Sequence, residues 1–487
     1  MHKFIVIVQL LRIFVAVFKI NKIMKKKFFL AAILSAVVAL PSFAGGILTN
    51  SNQSVQFMRV FARGAVIDVD GVYFNPAGLA FMNDGFHLSF SWQNAYQERN
   101  INSTSSLFPE GKRLFKGTAS APIIPSLHGV YKKDKLAISG FLGLVGGGGK
   151  ASFDDGLPMF ATAVMYGIAE NPIVKKVKDM AGIQQVSDLY HLSSAMDGRQ
   201  FIFGLQLGAS YKFADWFSGY AGFRANYFMG GYEGYVKAAV DPNSISALMA
   251  NPAIQEYMSK PENAAMAAQV AQMANNPLVD LRLDCTQTGW GINPVIGADF
   301  KFGKLNLGVK YEFKTNLNIE NDTKENTDPE GALAAFKDGV NTPSDVPSLF
   351  AAAAQYEILP NLRVSAEYHW YDDKHAGMAN DKQKALKHGT HEVLAGVEWD
   401  INKTFTVGVG GQNTDYGLAD DFQTDTAFSC DSYSIGFGGA ARLSSKLKLN
   451  LGYFWTTYKD YDKNSALSMN TYSRKNRVFG AGIDYTF

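Results

Sequence analysis

The chain carries charged residues on one face of several segments in which polar and apolar residues alternate. The cations are Lys310, Arg363 and Lys448, and the acids on the same faces are Glu312, Glu367, Glu392 and Glu398. A partly desolvated Arg or Lys can hold a ligand carboxylate through charge-assisted hydrogen bonds. The three cations are therefore candidate contacts for a ligand carboxylate. Mutual ion pairs in a wet interior are the alternative, and we expect them for most of these charges.

A glycine-rich stretch, LVGGGGKA at residues 144–151, has the look of a phosphate-binding loop. That motif requires Gly in place of Leu144 and Ser or Thr in place of Ala151, so nucleotide binding is not predicted. Consecutive glycines in a strand weaken its ladder and allow a bend or a gap. The stretch is therefore predicted to be a strand kink or lateral opening, with a flexible start of a loop as the alternative. Its glycines are Gly146, Gly147, Gly148 and Gly149.

No pattern typical of an enzyme occurs in the sequence. The eight histidines are scattered without an HExxH motif, and only His388 and His391 are close, at a spacing that puts them on opposite faces of a strand. A GxSxG nucleophile setting is also missing. We predict no catalytic residue, no metal site and no cofactor. Cys285 and Cys430 are the only cysteines, and the sequence leaves open whether they pair or remain free thiols.

Residues 66–80, VIDVDGVYFNPAGLA, are rich in residues that form tight turns. Such turns are stabilised by side chains that bond their own backbone. The segment is too short and too rich in turns to fold alone, so other elements must surround it. Its turn residues are Asp68, Asp70, Gly71, Asn75, Pro76, Ala77 and Gly78.

The surrounding elements are predicted to be strands, because apolar and polar residues alternate in many segments from residue 86 onward. Several apolar faces end in Tyr or Trp, as at 362–370 and 447–455, which suits strands that face lipid and end at the headgroup level. About fourteen strands are predicted. They are 86–98, 125–133, 135–146, 199–213, 217–236, 280–301, 303–320, 346–359, 361–374, 388–400, 403–416, 428–444, 446–460 and 472–487.

The connections alternate between tight turns and long loops, which is typical of an outer-membrane barrel. The tight turns fall at 133–134, 214–216, 303, 360–361, 401–402 and 444–445. A soluble propeller or sandwich is the alternative, but neither pairs short turns with long loops at every second connection. The predicted fold is all-β, a transmembrane antiparallel β-barrel with an N-terminal plug and helical external loops.

Residues 1–44 are predicted to be a leader. Three lysines precede an apolar run at 28–40 and a small-residue end, which places signal-peptide cleavage after Ala44 and makes Met24 the expected start. A membrane anchor at 4–18 is the alternative, although that run is short. Without the seven basic residues of the leader, 39 basic and 44 acidic residues remain, a net charge of −5. No basic cluster is left, so nucleic acid is not a predicted partner.

Two predicted loops, 158–196 and 243–276, are rich in Ala and Met and are expected to form short helices. Methionine-rich surfaces adapt to varied apolar guests, so these loops are candidates for capturing a hydrophobic ligand. Capping of the barrel rim is the alternative. The predicted domains are the leader at 1–44, a plug or hatch at 45–85 and the barrel at 86–487.

Taken over its whole mature length, the chain resembles the outer-membrane long-chain fatty acid transporter family, which includes toluene-type hydrocarbon transporters (FadL/TodX-like). The most specific element is Asn75-Pro76-Ala77, preceded by RGAVID at 63–68. The resemblance implies that 45–85 plugs the barrel as a hatch and that external loops capture a hydrophobic ligand. It also implies that a kinked third strand, 135–146 with the glycines near its outer end, opens a side gap toward lipid.

The expected function is passive uptake of long-chain fatty acids or other hydrophobic compounds across the outer membrane of a Gram-negative-type cell. The expected partners are the ligand, outer-membrane lipid and, through the C-terminal Phe487, the barrel assembly machinery. The alternatives are a surface binding, adhesion or haem-type receptor, and a general porin.

Overall fold

The computed structural model describes residues 47–183, 190–264, 267–268 and 277–487. The predicted leader, its start at Met24 and its cleavage after Ala44 lie outside the described residues, as does part of the predicted loop at 243–276. Within the described residues, no helix is both long enough and apolar enough to cross a bilayer.

From residue 85 onward the chain forms one closed antiparallel sheet. Its strands are β1 (Gly85–Thr104), β2 (Lys112–Lys133), β3 (Leu136–Phe153), β4 (Tyr190–Ala214), β5 (Phe217–Val240), β6 (Val279–Phe302), β7 (Leu305–Glu312), β8 (Asn318–Asn326), β9 (Asn341–Pro343), β10 (Leu349–Leu359), β11 (Leu362–Tyr371), β12 (Thr390–Asp400), β13 (Phe405–Asp415), β14 (Ser432–Arg442), β15 (Leu447–Tyr458), β16 (Tyr461–Asn464) and β17 (Met469–Thr486). β7 and β8 together form one strand of the wall, as do β9 with β10 and β15 with β16. The 17 elements therefore make a wall of 14 strands. β17 pairs with β1 from one end to the other and closes the barrel, which confirms the predicted fold class.

Alternation along each strand puts apolar side chains outside the barrel and polar side chains inside. On β2, Leu127 and Tyr131 are 45% and 50% exposed, whereas their neighbours Ser126, His128 and Lys132 are buried. This is the inverse of a soluble protein and is what a wall in contact with lipid requires.

The strands in the first part of the barrel are longer than those in the second part. β11 to β15 contain 10 to 12 residues, about the length that crosses a bilayer when tilted. β1 to β6 contain 18 to 25 residues and continue beyond the bilayer on the side of the long loops. The predicted end of β1 at 98 and the predicted starts of β2 at 125 and of β4 at 199 were wrong for this reason. Outside lipid, the strand ends need no apolar face.

The connections alternate as predicted. Tight turns at 134–135, 215–216, 303–304, 360–361, 401–404 and 443–446 lie at one end, and the long loops lie at the other. The loop after β3 contains helices α3 (Pro158–Ala169) and α4 (Pro172–Ala181), and the loop after β5 contains α5 (Pro242–Ala250) and α6 (Pro252–Ser259). The prediction of helical external loops is confirmed for the described residues.

Residues 47–84, named here the luminal segment, lie inside the barrel. They contain helices α1 (Val55–Arg59) and α2 (Gly71–Phe74) and a 3-10 turn at Ala77–Phe81. The helix α1 packs against β13, β14, β15 and β17, and the 3-10 turn packs against β4, β5 and β6. Phe57 lies at the centre of the segment, with ring centroids 4.9 Å from Phe61 and 5.5 Å from Phe74. The segment therefore has an apolar centre, which continues onto inward apolar side chains of the wall such as Phe141 and Phe454.

Candidate functional site

An ion-pair cluster holds the middle of the luminal segment together. Arg63 donates to both carboxylate oxygens of Asp70, with Nη2 2.6 Å from Oδ1 and Nε 3.1 Å from Oδ2, and its Nη2 lies 3.3 Å from Asp68. Ser54 Oγ, which caps α1, also donates to Asp70 at 2.8 Å. Arg63 and Asp70 are each 1% exposed. The predicted acids of the opening stretch therefore hold the turn and α1 in place through one buried arginine.

The predicted cations of the wall are all paired with carboxylates. Lys448 lies 3.2 Å from Asp68 and 2.9 Å from Asp484. Arg363 lies 3.1 Å from Glu398 and 2.7 Å from Asp400. Lys310 lies 2.7 Å from Glu312 and donates to Tyr73 O at 2.7 Å. The structure thus places these residues as the ion-pair alternative describes, and two of them, Lys448 and Lys310, also contact the luminal segment. We propose no ligand contact for Lys310, Arg363 or Lys448.

Two further wall carboxylates contact the luminal segment. His369 lies between them, with Nε2 2.6 Å from Glu367 and Nδ1 3.0 Å from Glu392. Glu367 accepts from Gly64 N at 2.8 Å, and Glu392 accepts from Ser51 Oγ at 3.3 Å. The segment is therefore hydrogen-bonded to the wall on the side of β11 and β12 as well.

Asn75 joins the turn to the wall. Its Nδ2 donates to Asp299 Oδ2 on β6 at 2.6 Å, while its Oδ1 accepts from Gly78 N at 3.2 Å. A Cβ on Gly78 would collide with Asn75 Nδ2, so the close turn requires glycine. Asn75 thus has two roles, since it closes the turn and fixes it to the barrel.

The carbonyl groups of the same motif bond to two neighbouring strands. Ser210 Oγ on β4 donates to Pro76 O at 2.6 Å, and Ser218 Oγ on β5 donates to Ala77 O at 2.7 Å. The structure therefore brings all four residues of the predicted motif, from Asn75 to Gly78, into one wall contact that spans β4, β5 and β6.

We expect Asn75→Ala to loosen this contact while the barrel still folds. The variant removes one hydrogen bond from Asp299, which keeps Asn306 Nδ2, and one from Gly78 N, which keeps the carbonyl of residue 75. Losing these two bonds should cost about 1–3 kcal/mol. Uptake of an apolar tracer should fall at equal surface expression, and heat-modifiable gel migration should remain normal. Asn251→Ala is a matched control, because Asn251-Pro252-Ala253 caps α6 in an outer loop through Asn251 Oδ1. Wild-type uptake by Asn75→Ala would contradict a role for the contact.

The ladder between β2 and β3 is interrupted. Ser120 pairs with Lys150 and Ser126 pairs with Gly143, but residues 121–125 and 144–149 between these pairs have no ladder partners across the seam. Against β4, seven positions separate Gly143 from Lys150, whereas five separate their partners Gly204 and Arg199. β3 therefore carries two extra residues at the interruption.

The residues around the interruption explain it. Pro122 and Pro125 on β2 lack the N–H that a ladder needs. On β3, Gly147 and Gly149 have φ of +90° and +76°, a region that favours glycine. The glycine run lies inside β3 rather than near the end of a strand that stops at 146, so the predicted strand end was wrong. The role of these glycines as a lateral opening stays a prediction.

The beginning of the luminal segment covers this interruption from inside. Thr49 forms an antiparallel bridge with Gly146, Asn50 N donates to Val145 O at 2.8 Å, and Gly147 N donates to Leu48 O at 3.2 Å. Gln53 Nε2 donates to Leu144 O at 2.8 Å. Four consecutive residues of β3 are thus held by the luminal segment instead of by β2.

The inner lining of the interruption is apolar. Buried side chains of both strands and of β4 line it, namely Ala121, Ile124, Leu144, Val145 and Ile202. We name the unpaired residues 121–125 and 144–149 with this lining the wall gap. These side chains offer an apolar surface to a hydrophobic molecule inside the wall gap.

A second apolar site lies among the outer loops. Tyr232 on β5, Leu283 on β6 and Phe336 in the loop after β8 are buried together, with the Tyr232 and Phe336 rings 5.4 Å apart. Phe160 of α3 and Met196 of β4 complete the lining of a small cavity of about 50 Å³. Because its lining is almost wholly apolar, this cavity can take the end of an apolar ligand, although it is too small to enclose a whole one. We name it the outer apolar site.

The start of the luminal segment is fixed by an outer loop. Asp373, after β11, accepts from Ile47 N at 3.2 Å and from Thr390 N at 2.9 Å. Burial raises the pKa of Asp373 to about 6, although these hydrogen bonds lower it. At neutral pH the carboxylate is therefore charged and accepts both bonds.

Two other predictions concern cysteine and histidine. Cys285 and Cys430 are both free and buried, so the free-thiol alternative describes them. The rings of His388 and His391 are 5.1 Å apart. The expectation that they point to opposite faces was wrong, because His388 precedes β12 and does not follow the alternation of a strand. Among the described residues, no group of three or more metal-ligating side chains is found.

Sequence reasoning missed several residues of the site. The two prolines in APIIP at 121–125 signal a break in a ladder, but the strand was predicted to begin only at 125. Asp299 was missed because it is a single charged residue without a motif, and Arg63 was noted only as the first residue of RGAVID, without a role of its own. Their roles depend on the contact between the luminal segment and the wall.

The fold and the site define a closed membrane barrel of 14 strands with an internal segment that covers a gap in the wall. By sequence, no family model and no curated protein matches this chain. Solved structures match it. A FadL homologue from Pseudomonas aeruginosa has 14% identity and a TM-score of 0.61, covering 91% of this chain and 100% of that chain.

The toluene transporter TodX of Pseudomonas putida has 13% identity and a TM-score of 0.52, covering 92% of this chain and 99% of its own. The toluene transporter TbuX of Ralstonia pickettii has 12% identity and a TM-score of 0.51, covering 93% and 100%. At such identities the likeness shows the fold alone. The FadL/TodX-like resemblance of the sequence is confirmed at that level, and TodX and TbuX are named as transporters, not as enzymes.

Proposed function

We propose that this protein is an outer-membrane transporter through which hydrophobic compounds pass without an energy source. The observation that carries the proposal is the wall gap, which is lined by apolar residues and covered from inside by residues 48–53 of the luminal segment. A pore for polar solutes has no use for an apolar side gap. A molecule held back by the polar outer leaflet gains from an apolar path that ends in lipid.

The proposed route has three stages. The outer apolar site captures the ligand, the luminal segment acts as a hatch that yields, and the ligand leaves sideways through the wall gap. The domain division at 45–85 and 86–487 follows from these roles. Long-chain fatty acids and aromatic hydrocarbons are both proposed substrates, and the fold shared with a FadL homologue and with toluene transporters supports this range.

Targeting belongs to the same proposal. A leader cleaved after Ala44 delivers the chain to the outer membrane of a Gram-negative-type cell, and Phe487 is recognised by the barrel assembly machinery. Phe487 is 61% exposed at the end of β17, and its ring lies 5.3 Å from Phe86 and 4.8 Å from Tyr485. A terminal aromatic that projects from the edge of the barrel is accessible to such a partner. Among the described residues, we find nothing that favours a haem-type receptor or a general porin.

The function is tested by uptake into cells that lack other routes for apolar tracers. Cells expressing the chain should accumulate a long-chain fatty acid or a monoaromatic hydrocarbon faster than cells with an empty vector. Planar bilayers should show little ion conductance. No gain for any apolar tracer would overturn the proposal, and large steady conductance would indicate a porin instead.

The outer apolar site provides a sharper test, because we expect Phe336→Ser to weaken capture. Phe336 supplies apolar area next to Tyr232, and replacing it should lower the apparent affinity for an apolar tracer by about tenfold. The concentration dependence of uptake measures this. Phe302→Ser at the turn end of the barrel, where Phe302 is 50% exposed, is the matched control. An equal effect of both variants would contradict capture at this site.

A further inference from the structure

A polar pocket of about 320 Å³ lies at the ends of β13, β14 and β15 and takes no part in the proposed route. Asp415 ends β13, Asp431 precedes β14 and Lys459 follows β15, and the ladder registers place the three side by side. Two positions along the strands, Asn413, Tyr433 and Thr457 are exposed. Side chains two positions apart on a strand share a face, so Asp415, Asp431 and Lys459 also lie on the outward face of the wall, toward lipid.

The depth of the pocket in the membrane follows from the strand lengths. On this side of the barrel the strands contain 10 to 12 residues, about what one bilayer crossing needs. Trp370 and Tyr433 lie near their outer ends and are 37% and 51% exposed, as in an aromatic belt at the lipid interface. The pocket begins where the belt ends, so it lies at the level of the outer-leaflet headgroups.

The lining combines two kinds of groups. Lys387 and Lys459 are exposed cations that suit a phosphate. Three carboxylates, Asp415, Asp431 and Asp460, line the same pocket. They can accept hydrogen bonds, as Asp431 does from Tyr416 N at 3.0 Å, and would repel a bare phosphate. The ring of Tyr461 adds an aromatic face. A ligand that carries a phosphate together with hydroxyl or amide donors satisfies both kinds of groups.

The volume of the pocket also favours a ligand of this kind. The cavity falls in the range of small-molecule sites, roughly 300–1,000 Å³, which is more than a short phosphoethanolamine chain would fill. His388 Nε2 lies 3.8 Å from Asp415 Oδ1, and Tyr368 Oη lies 2.6 Å from His391 Nδ1. Polar groups therefore continue from the pocket to the top of the lipid-facing surface, where the sugar of a lipid and its acyl chains meet.

We propose that this pocket binds the phosphorylated sugar headgroup of an outer-leaflet glycolipid. Lys387 and Lys459 bind the phosphate, Asp415 and Asp431 accept from the hydroxyl and amide groups of the sugar, and the acyl chains lie against β12 to β15. The proposal rests on the placement of the barrel in an outer membrane, and it does not depend on transport.

The test is native mass spectrometry of the detergent-purified full chain with lipid A, with dephosphorylated lipid A and with phosphatidylethanolamine. The wild type should retain lipid A best. The double variant Lys387→Gln with Lys459→Gln should retain it about tenfold less well, because two charged hydrogen-bond donors to phosphate are lost. Lys446→Gln, an exposed lysine in a turn at the opposite end, is the control and should bind as the wild type does.

The other outcomes overturn the proposal. Equal retention by the double variant, equal retention of dephosphorylated lipid A, or preferred retention of phosphatidylethanolamine would each exclude a phosphosugar site. Competition by soluble glucosamine phosphate as strong as that by lipid A would indicate a site for a free sugar phosphate instead. Uptake of an apolar tracer is measured separately in cells that express the same variants, so a failure of the transport proposal can be told apart from a failure of this one.

Discussion

Deletion of three residues, Pro122 from β2 and Gly147 and Gly148 from β3, should close the wall and abolish uptake of apolar tracers. At the interruption, β3 has two residues more than β4. β2 has one more than β1, since Gln93 and Ala95 are two positions apart and their partners Ile124 and Ala121 are three apart. Removing these extra residues leaves five positions on each strand between the flanking β2–β3 pairs. All three ladders can then stay in register, and only the N–H that Pro125 lacks is missing from them.

The closed wall should be at least as stable as the native one, because new ladder hydrogen bonds form. The deletion also removes Gly147, which has a positive φ. The loss of uptake would therefore not reflect unfolding, and heat-modifiable gel migration should confirm a folded barrel. Tracer accumulation should fall to that of cells without the protein.

Deletion of Pro122 alone is the matched control for this experiment. It corrects the ladder between β1 and β2 but leaves both extra residues in β3, so the wall gap should persist and uptake should remain. If the triple deletion folds and still transports at the wild-type rate, the wall gap is not the exit. The outer apolar site and the luminal segment would then have to serve another route.

The sequence was sufficient for the barrel because lipid imposes a pattern on each strand separately. The alternation of residues such as Leu449, Leu451 and Tyr453 with their neighbours can be recognised in one strand by itself. The number and order of the strands follow from such runs. Where β1, β2 and β4 leave the bilayer this constraint ends. The alternation of apolar and polar residues therefore did not predict the parts of these strands that lie outside the bilayer.

The site was less predictable because its contacts join residues far apart in the chain. The turn at Asn75 was predictable from local chemistry, but its bond to Asp299 depends on how the luminal segment lies in the barrel. The glycine run indicated an irregular strand. Its length relative to its neighbours, which makes the wall gap, follows only from the registers of three strand pairs.

Arg63→Met should release the luminal segment and open the barrel to polar solutes. Arg63 is the partner of Asp70 and contacts Asp68, and Met keeps much of its apolar volume without its charge. Removing one member of a buried ion pair leaves an uncompensated charge and costs about 3–5 kcal/mol. The loss falls on the contact that joins α1, through Ser54 and Asp70, to the turn at Asp68.

The wall should survive this loss, because its ladders do not include the luminal segment apart from the bridge at Thr49. The expected result is a folded barrel with raised ion conductance in planar bilayers and faster entry of small polar tracers into cells. Limited proteolysis should cut residues 47–84 more readily than in the wild type.

The same substitution at Arg113 provides the control, since Arg113 forms a pair with Glu110 at 2.7 Å in which both side chains are about 40% exposed, at 40% and 42%. Exposed pairs contribute about 0–1 kcal/mol, so Arg113→Met should leave conductance and proteolysis unchanged. Wild-type conductance in a folded Arg63→Met barrel would mean that the remaining wall contacts suffice. Asn75, Glu367 and Lys310 would then hold the segment, and Arg63 would serve only its internal fold.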